Sequence, residues 1–136
     1  MDNFDMVFSQ LANILPPDEY SHACTVAGKC KHLQKTCVVA LLHDFVEDGY
    51  ATFEEVQPLF NLNDEQMAAL DAITRRQGEK YFDYIQRVKQ NEMATTVKLA
   101  DLQHNIYRCA NDLRNRCGLL RRYAKAYGIL IDEWRK

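Results

Sequence analysis

The sequence predicts an all-α protein, a helical bundle of about seven to eight helices. The alternation of apolar and polar residues that marks β-strands is nearly absent, and helical patterns dominate the chain. Only 3 prolines and 5 glycines interrupt the 136 residues, and several polar residues stand where they can cap a helix. The length suits one domain with one core, which we assign to residues 1–136.

The first three helices are expected at residues 4–14, 18–31 and 34–47. Pro16 and Pro17 separate the first helix from the second, because proline inside a helix removes a hydrogen bond and clashes with the preceding turn. The third helix coincides with an apolar run that ends at Asp48-Gly49. Glycine commonly follows the last turn of a helix, so we place the end of this helix there.

Capping patterns predict the helices that follow. Thr52 with Glu55, and Asn63 with Gln66, have the spacing of capping boxes, in which each side chain bonds the backbone N–H of the other residue. These pairs should open helices that run to residue 60 and towards residue 75. Three more helices are expected at residues 80–90, 92–108 and 115–134. Asn91 is the expected N-cap of the helix at residues 92–108.

Composition and charge narrow the class of protein. Apolar residues make up 47% of the chain and charged residues 26%, which excludes a disordered or fibrous protein. The first fifteen residues hold two acids, no basic residue and no long apolar stretch, so we expect a cytoplasmic protein without a membrane partner. Residues 98–136 carry 9 basic and 4 acidic side chains. Without a nucleic-acid-reading motif, this part suits a solvated face or a wall that faces phosphate better than a nucleic-acid surface.

The five cysteines predict thiols rather than disulfides, because their number is odd and no CxxC pair occurs. They are Cys24, Cys30, Cys37, Cys109 and Cys117. A zinc site from Cys24, Cys30, His32 and Cys37 is disfavoured, since their spacing matches no structural zinc pattern.

A histidine and three acids interrupt the apolar run of the third helix. Residues 38–48, VVALLHDFVED, contain His43-Asp44 and, one turn later, Glu47 and Asp48. At 100° per residue, all four side chains share one side of a helix. Burying an unpaired carboxylate costs several kcal/mol, and a bound metal would offset that cost. The alternative is a helix end with acidic caps and a core histidine, although acids there oppose the helix dipole.

A second unusual acid lies in the helix expected at residues 92–108. Asp101 falls in one stripe with small and apolar residues and with Asn105 and Arg108. Such an aspartate often pairs with an arginine like Arg108, but together with His43-Asp44 it becomes a candidate metal ligand. Among the other histidines, His22 is the best candidate. His32 lies among lysines and His104 lies off the centre of the Asp101 stripe, so both are weaker candidates.

These residues resemble the ligand set of the HD-domain metal-dependent phosphohydrolases: His22, the pair His43-Asp44, and Asp101. The segments LLHDFVEDG, TFEEV, ITRRQGEKYFDYIQRV and VKLADLQHN are similar to the hydrolase domain of RelA/SpoT-type enzymes, especially their small single-domain bacterial relatives. The likeness covers about residues 20–130. An HD dipeptide alone is a weak pattern, whereas HDxVED followed by VKLADxxxN is specific.

The resemblance implies an HD-domain bundle and a stringent-response activity, the removal of pyrophosphate from the 3′ position of guanosine tetraphosphate or pentaphosphate (ppGpp or pppGpp). It implies that His22, His43, Asp44 and Asp101 bind one divalent metal, typically Mn²⁺, whose ligand preferences this donor set suits. It assigns Glu47 and Asp48 to the attacking water, and Asn105 to the nucleotide.

Other residues near these motifs allow two interpretations of their role. Glu47 is our first candidate for the general base and Asp48 the second. Arg75, Arg76 and Lys98 either bind substrate phosphates or are solvated cations. Tyr81 and Tyr84, three residues apart, are more consistent with core packing than with base stacking.

One segment departs from the larger relatives. Asp18 and Glu19 precede His22 where those relatives carry a basic stretch that helps to hold the guanosine nucleotide. This change favours, as an alternative, a phosphatase for another nucleotide or phosphorylated metabolite. A catalytically silent nucleotide sensor is a further alternative, which the intact ligand set disfavours. The chain has no room for a synthetase domain, so any activity should be hydrolytic only.

Overall fold

The computed structural model describes residues 3–30, 33–112 and 117–134, and this part of the chain is all-helical. Its eight helices confirm the predicted fold class. In the described residues, none of them has the length and apolar composition needed to cross a membrane. The helices are α1 (Phe4–Ile14), α2 (Pro17–Lys29), α3 (Gln34–Leu42), α4 (Phe53–Phe60), α5 (Asp64–Ile73), α6 (Tyr81–Lys89), α7 (Glu92–Ala110) and α8 (Leu120–Trp134).

Local capping explains where three of these helices begin. The Thr52 hydroxyl accepts the Glu55 N–H at 3.2 Å, and the Glu55 carboxylate accepts the Thr52 N–H at 2.9 Å. The same reciprocal pair occurs between Asn63 and Gln66 at the start of α5. At the start of α7, the side chain of Asn91 accepts the N–H of residue 94 at 2.9 Å. All three predicted caps are confirmed.

The third helix ends earlier than the sequence predicts. α3 stops at Leu42, and residues 43–49 form consecutive turns. The carbonyl of Ala40 accepts the His43 ring at Nδ1, 2.7 Å away, and the His43 amide at 3.4 Å. In a continuing helix that carbonyl would accept the amide of Asp44. The predicted extension to residue 47 is therefore wrong, because the side chain of His43 competes for the helical acceptor.

A disulfide joins Cys109 and Cys117, so the prediction of thiols is wrong for this pair. Cys109 lies in the last turn of α7 and Cys117 shortly before α8. Their Cα atoms are 5.3 Å apart, a distance that a disulfide spans. Their spacing in the sequence matches no disulfide pattern.

The other cysteine prediction concerned zinc. Cys30 and Cys37 are buried, and the Cys37 thiol donates to the Cys30 carbonyl at 2.8 Å. His32, the nitrogen of that hypothetical site, lies outside the described residues, as does the predicted start of the last helix at residue 115. Burial and the neighbouring Cys37 raise the pKa of Cys30 to about 11, so this thiol stays protonated at neutral pH.

Two helices form the centre of the bundle. Residues 36–42 of α3 are all buried, and α3 packs against α1, α2, α5 and α7. α7 packs against α2, α3, α5, α6 and α8. Since α2, α3 and α7 all contact one another, side chains from the three can meet at one point. His22 lies on α2, His43 directly follows α3, and Asp101 lies on α7.

Removing the cap of α4 should destabilise the fold. Thr52→Ala deletes the acceptor of the Glu55 N–H, so we expect the free energy of unfolding to fall by about 1 kcal/mol. Thr52→Ser keeps a hydroxyl at the same place and is the matched control. Urea unfolding followed by circular dichroism measures both; an equal loss in the two variants would contradict the capping role.

Candidate metal centre

Four side chains converge where α2, α3 and α7 meet. His22, His43, Asp44 and Asp101 each offer one nitrogen or oxygen atom, and these four atoms lie within 4.8 Å of one another. His22, His43 and Asp101 are buried, whereas the Asp44 side chain is 45% exposed. In the described residues no other group of histidines, cysteines and acids comes together in this way. The structure thus brings together all four residues that the sequence singled out as ligands.

Asp101 is the hub of the cluster. Its Oδ1 accepts from Nε2 of His22 at 2.8 Å, from Nε2 of His43 at 3.1 Å and from the amide of Asn105 at 3.3 Å. Its Oδ2 accepts from the ammonium group of Lys98 at 2.9 Å. Both oxygens of this buried carboxylate are therefore bonded, as a charge at this depth requires.

The partner of Asp101 differs from the one that the sequence suggested. Arg108 does not bond Asp101 but donates to the side-chain oxygen of Asn105. Lys98, three residues before Asp101 on the same helix, makes the ion pair instead. Lys98 also stands 5.3 Å from the ring centre of Tyr84, which is buried and donates its hydroxyl to the Ile73 carbonyl.

The charges of the cluster shift one another's pKa values. Burial alone would raise the pKa of Asp101, but Lys98 and His43 hold it well below its usual range. Burial alone would lower the pKa of His43, but Asp44 and Asp101 raise it well above its usual range. In the same way, burial opposes ionisation of Asp44 and His43 outweighs it, so the pKa of Asp44 is lowered. Without a cation, the two carboxylates are thus balanced by protonated His43 and by Lys98.

The donor set fits a divalent cation. Nδ1 of His43 donates to the Ala40 carbonyl at 2.7 Å, which leaves Nε2 as the ligand atom once its proton is lost. Nε2 already lies 3.1 Å from an oxygen of Asp44 and from Oδ1 of Asp101. Two imidazoles and two carboxylates suit a borderline-hard ion such as Mn²⁺. A divalent cation would also take over the charge balance that the proton on His43 now provides.

His104 belongs to the surroundings of the cluster, although the sequence gave it little weight. Its Nδ1 lies 2.7 Å from Nδ1 of His22, and the two rings are nearly parallel, with centres 4.9 Å apart. Burial, the His22 ring and the cation of Arg108 lower the pKa of His104. Sequence spacing alone indicated that His104 lies off the Asp101 stripe, and it could not reveal the ring of α2 that stands there.

Two clefts open onto the cluster from different sides, and they share His22, Asp44 and Arg108. The first, of about 190 Å³, we call the acidic cleft. The second, of about 340 Å³, we call the basic cleft. The acidic cleft is lined by Leu15, Asp18, Glu19, His22, Ala23, Leu41, His43, Asp44, Phe45, Asp48 and Arg108. The basic cleft is lined by His22, Asp44, Glu47, Arg75, Tyr81, Tyr84, Lys98, Asp101, Asn105, Arg108, Arg122 and Tyr123.

The acidic cleft contains Asp48 among other carboxylates. Burial, followed by the charges of Asp44, Glu19 and Glu47, raises the pKa of Asp48 to about 6. The hydroxyl of Tyr50 donates to Glu19 at 2.5 Å. Asp18 and Glu19, which the sequence marked as a departure from the larger RelA/SpoT-type enzymes, line this cleft together with three of the four candidate ligands.

The basic cleft brings together four cations from the loop after α5, from α7 and from α8. The backbone N–H of Arg75 donates to Glu47 at 2.9 Å, and its guanidinium stands 5.4 Å from the ring centre of Tyr81. From α8, the guanidinium of Arg122 stands 4.7 Å from the same ring. Two guanidinium groups thus lie within cation–π distance of the Tyr81 ring. Glu47 lines the basic cleft and Asp48 lines the acidic cleft, although the two acids are adjacent in the sequence.

The predicted substrate residues do not all meet. Arg75, Lys98 and Asn105 line the basic cleft, but Arg76 lines neither cleft at the cluster. Arg76 instead donates to the carbonyls of Asp71 and Thr74 and pairs with the Asp71 carboxylate at 2.8 Å. The sequence missed Arg122 and Tyr123 as individual residues. The only hint was the excess of basic side chains after residue 97.

Comparison with known proteins does not assign the chain to a family. It matches no protein-family model, and no curated protein matches it significantly. The geometry itself defines a class of site. It is a buried group of two histidines and two aspartates that could hold a divalent cation, placed between an acidic and a basic cleft.

Metal binding should displace the proton of His43 and therefore depend on pH. Asp44 and Asp101 raise the pKa of His43, so a cation competes with a proton for Nε2, and the affinity should rise with pH up to that raised pKa. Calorimetric titration with Mn²⁺ at about pH 6 and about pH 8, in buffers of different ionisation enthalpy, measures affinity and proton release together. An affinity that is independent of pH, without proton release, would contradict this exchange.

Proposed function

We propose that the protein is a metal-dependent phosphohydrolase that cleaves a phosphate or pyrophosphate ester of a nucleotide. The observation that carries the proposal is the cluster of His22, His43, Asp44 and Asp101, with the basic cleft opening directly onto it. A cation held by this cluster, together with a wall of three arginines and one lysine, would suit an anionic phosphate substrate. The sequence resemblance to HD-domain phosphohydrolases supports the same class.

Within that class, the leading substrate is guanosine tetraphosphate or pentaphosphate, from which the 3′-pyrophosphate would be removed. This part of the proposal rests on the RelA/SpoT-like motifs at residues 41–49 and 97–105. We propose a cytoplasmic location on the same grounds, because that nucleotide is an intracellular signal.

Each part of the site has a role in this reaction. A divalent cation, held by the two histidines and two aspartates, would supply positive charge and acidify a water molecule. Arg75, Arg108 and Arg122 would bind phosphate oxygens in the basic cleft, since a guanidinium presents paired donors to them. The ammonium group of Lys98 has three donors, and its bond to Asp101 uses one, so the others can face the substrate.

We assign the general base to Asp48, which reverses the order that the sequence suggested. One oxygen of Glu47 already accepts the N–H of Arg75. Asp48 has a pKa raised to about 6, so it is mostly ionised at neutral pH and takes up a proton more readily than an ordinary carboxylate. Glu47 would instead hold the loop that carries Arg75 against the basic cleft.

The acidic cleft favours a second candidate substrate. Guanosine tetraphosphate carries phosphates on both its 3′ and 5′ sides, and Asp18, Glu19 and Asp48 would repel whichever group entered their cleft. A nucleotide or phosphorylated metabolite with phosphate on one side only avoids that repulsion. A catalytically silent sensor is the least favoured alternative, because all four ligand residues are present and close together.

Hydrolysis should require the metal and the cluster. Purified protein with Mn²⁺ should release phosphate or pyrophosphate from one member of a nucleotide panel that includes guanosine tetraphosphate. Asp44→Ala and Asp101→Ala should reduce kcat/KM by about 10³-fold or more, because they remove several kcal/mol of charge stabilisation. Asp132→Ala, which removes an exposed acid on α8, is the control. Equal activity after complete removal of metal would refute the proposal.

The two neighbouring acids should have different effects on turnover. Asp48→Asn should lower kcat by about 10² to 10⁴-fold, the usual contribution of a general base. Glu47→Gln should lower it much less, because the glutamine oxygen can still accept the N–H of Arg75. Both are measured at saturating Mn²⁺ and substrate, and the reverse order would assign the base to Glu47.

A further inference from the structure

If Nε2 of each histidine in the cluster is to bind a cation, Nδ1 of that histidine must carry the proton and donate it to an acceptor. A neutral imidazole carries one proton, so an Nε2 that gives its lone pair to a metal leaves the proton on Nδ1. That proton in turn needs an acceptor. For His43 the acceptor is the Ala40 carbonyl, 2.7 Å from Nδ1. For His22 no carbonyl takes this place in the described hydrogen bonds; Nδ1 of His104 lies there, also at 2.7 Å.

The geometry leaves His22 few other partners on that side. Its residue exposure is 7%, so most of the His22 surface is closed to water. The rings of His22 and His104 are inclined by 16° with centres 4.9 Å apart, and each therefore restricts the rotation of the other. His104 also follows Asp101 by three residues on α7. One helix thus presents a contact to each of the two nitrogens of His22.

We propose that His104 is a positioning residue, which accepts the Nδ1–H of His22 and so holds Nε2 of His22 towards the cation. The bond requires the His104 tautomer that is protonated on Nε2, because only this neutral form has a lone pair on Nδ1. His104 does not belong to the group of four ligand residues, and it acts on the cation only through His22. This inference rests on the metal centre of the proposed function and extends it by one residue.

Two substitutions of nearly equal shape test the bond. In His104→Asn, the side-chain oxygen can occupy the position of Nδ1 and accept the proton of His22. In His104→Leu, a methyl group occupies the same position and cannot accept it. Partners of this kind contribute about 10 to 100-fold to metal affinity. We therefore expect His104→Leu to weaken Mn²⁺ binding at least about tenfold, and His104→Asn to remain much closer to the unsubstituted protein.

The readout is Mn²⁺ affinity, followed by the paramagnetic resonance signal of free Mn²⁺, with helix content checked by circular dichroism. Equal affinities for the two variants would overturn the inference, because a packing role would not distinguish oxygen from methyl. Failure of the protein itself to bind Mn²⁺ would overturn the inference together with the metal centre. A protein that binds Mn²⁺ with the expected order of variants but hydrolyses no nucleotide would refute only the proposed function.

Discussion

The buried carboxylate of Asp101 is the constraint on which the rest of the site depends. It lies on the central helix α7, where water cannot solvate it, so its charge must be balanced by neighbours. The structure supplies Lys98 from the same helix and the imidazoles of His22 and His43 from two others. The same contacts that neutralise Asp101 therefore join α2, α3 and α7, and they collect the ligand atoms of a metal centre. Folding and site assembly share one set of interactions.

The local features of the fold could be predicted from the sequence, because each depends on residues a few positions apart. The capping pairs Thr52-Glu55 and Asn63-Gln66 are of this kind, since the spacing itself creates the hydrogen bonds. The four ligand residues were also predictable as a set, although from a family resemblance and from unusual acids in apolar stripes rather than from their distances. What the sequence could not provide was their arrangement, which depends on how α2, α3 and α7 cross.

The errors in the sequence predictions come from contacts that helical periodicity and residue spacing do not show. The early end of α3 depends on the hydrogen bond from the His43 ring to the Ala40 carbonyl. The apolar pattern of the sequence does not show that the ring takes this acceptor. The disulfide between Cys109 and Cys117 depends on a Cα–Cα distance of 5.3 Å, which their separation of eight residues does not reveal. The contact of His104 with His22, 82 residues earlier in the chain, likewise depends on how α2 and α7 pack. Glu47 and Asp48 share one side of the predicted helix, but on the turns that replace it they line different clefts.

The shared wall between the two clefts has a thermodynamic consequence. His22, Asp44 and Arg108 line both the acidic and the basic cleft, so a molecule in one cleft alters the charge and position of groups that its neighbour in the other cleft also meets. Binding in the two clefts is then linked, and linkage is reciprocal: each occupant changes the affinity of the other by the same factor. Two ligands that both contact these shared side chains would therefore not bind independently.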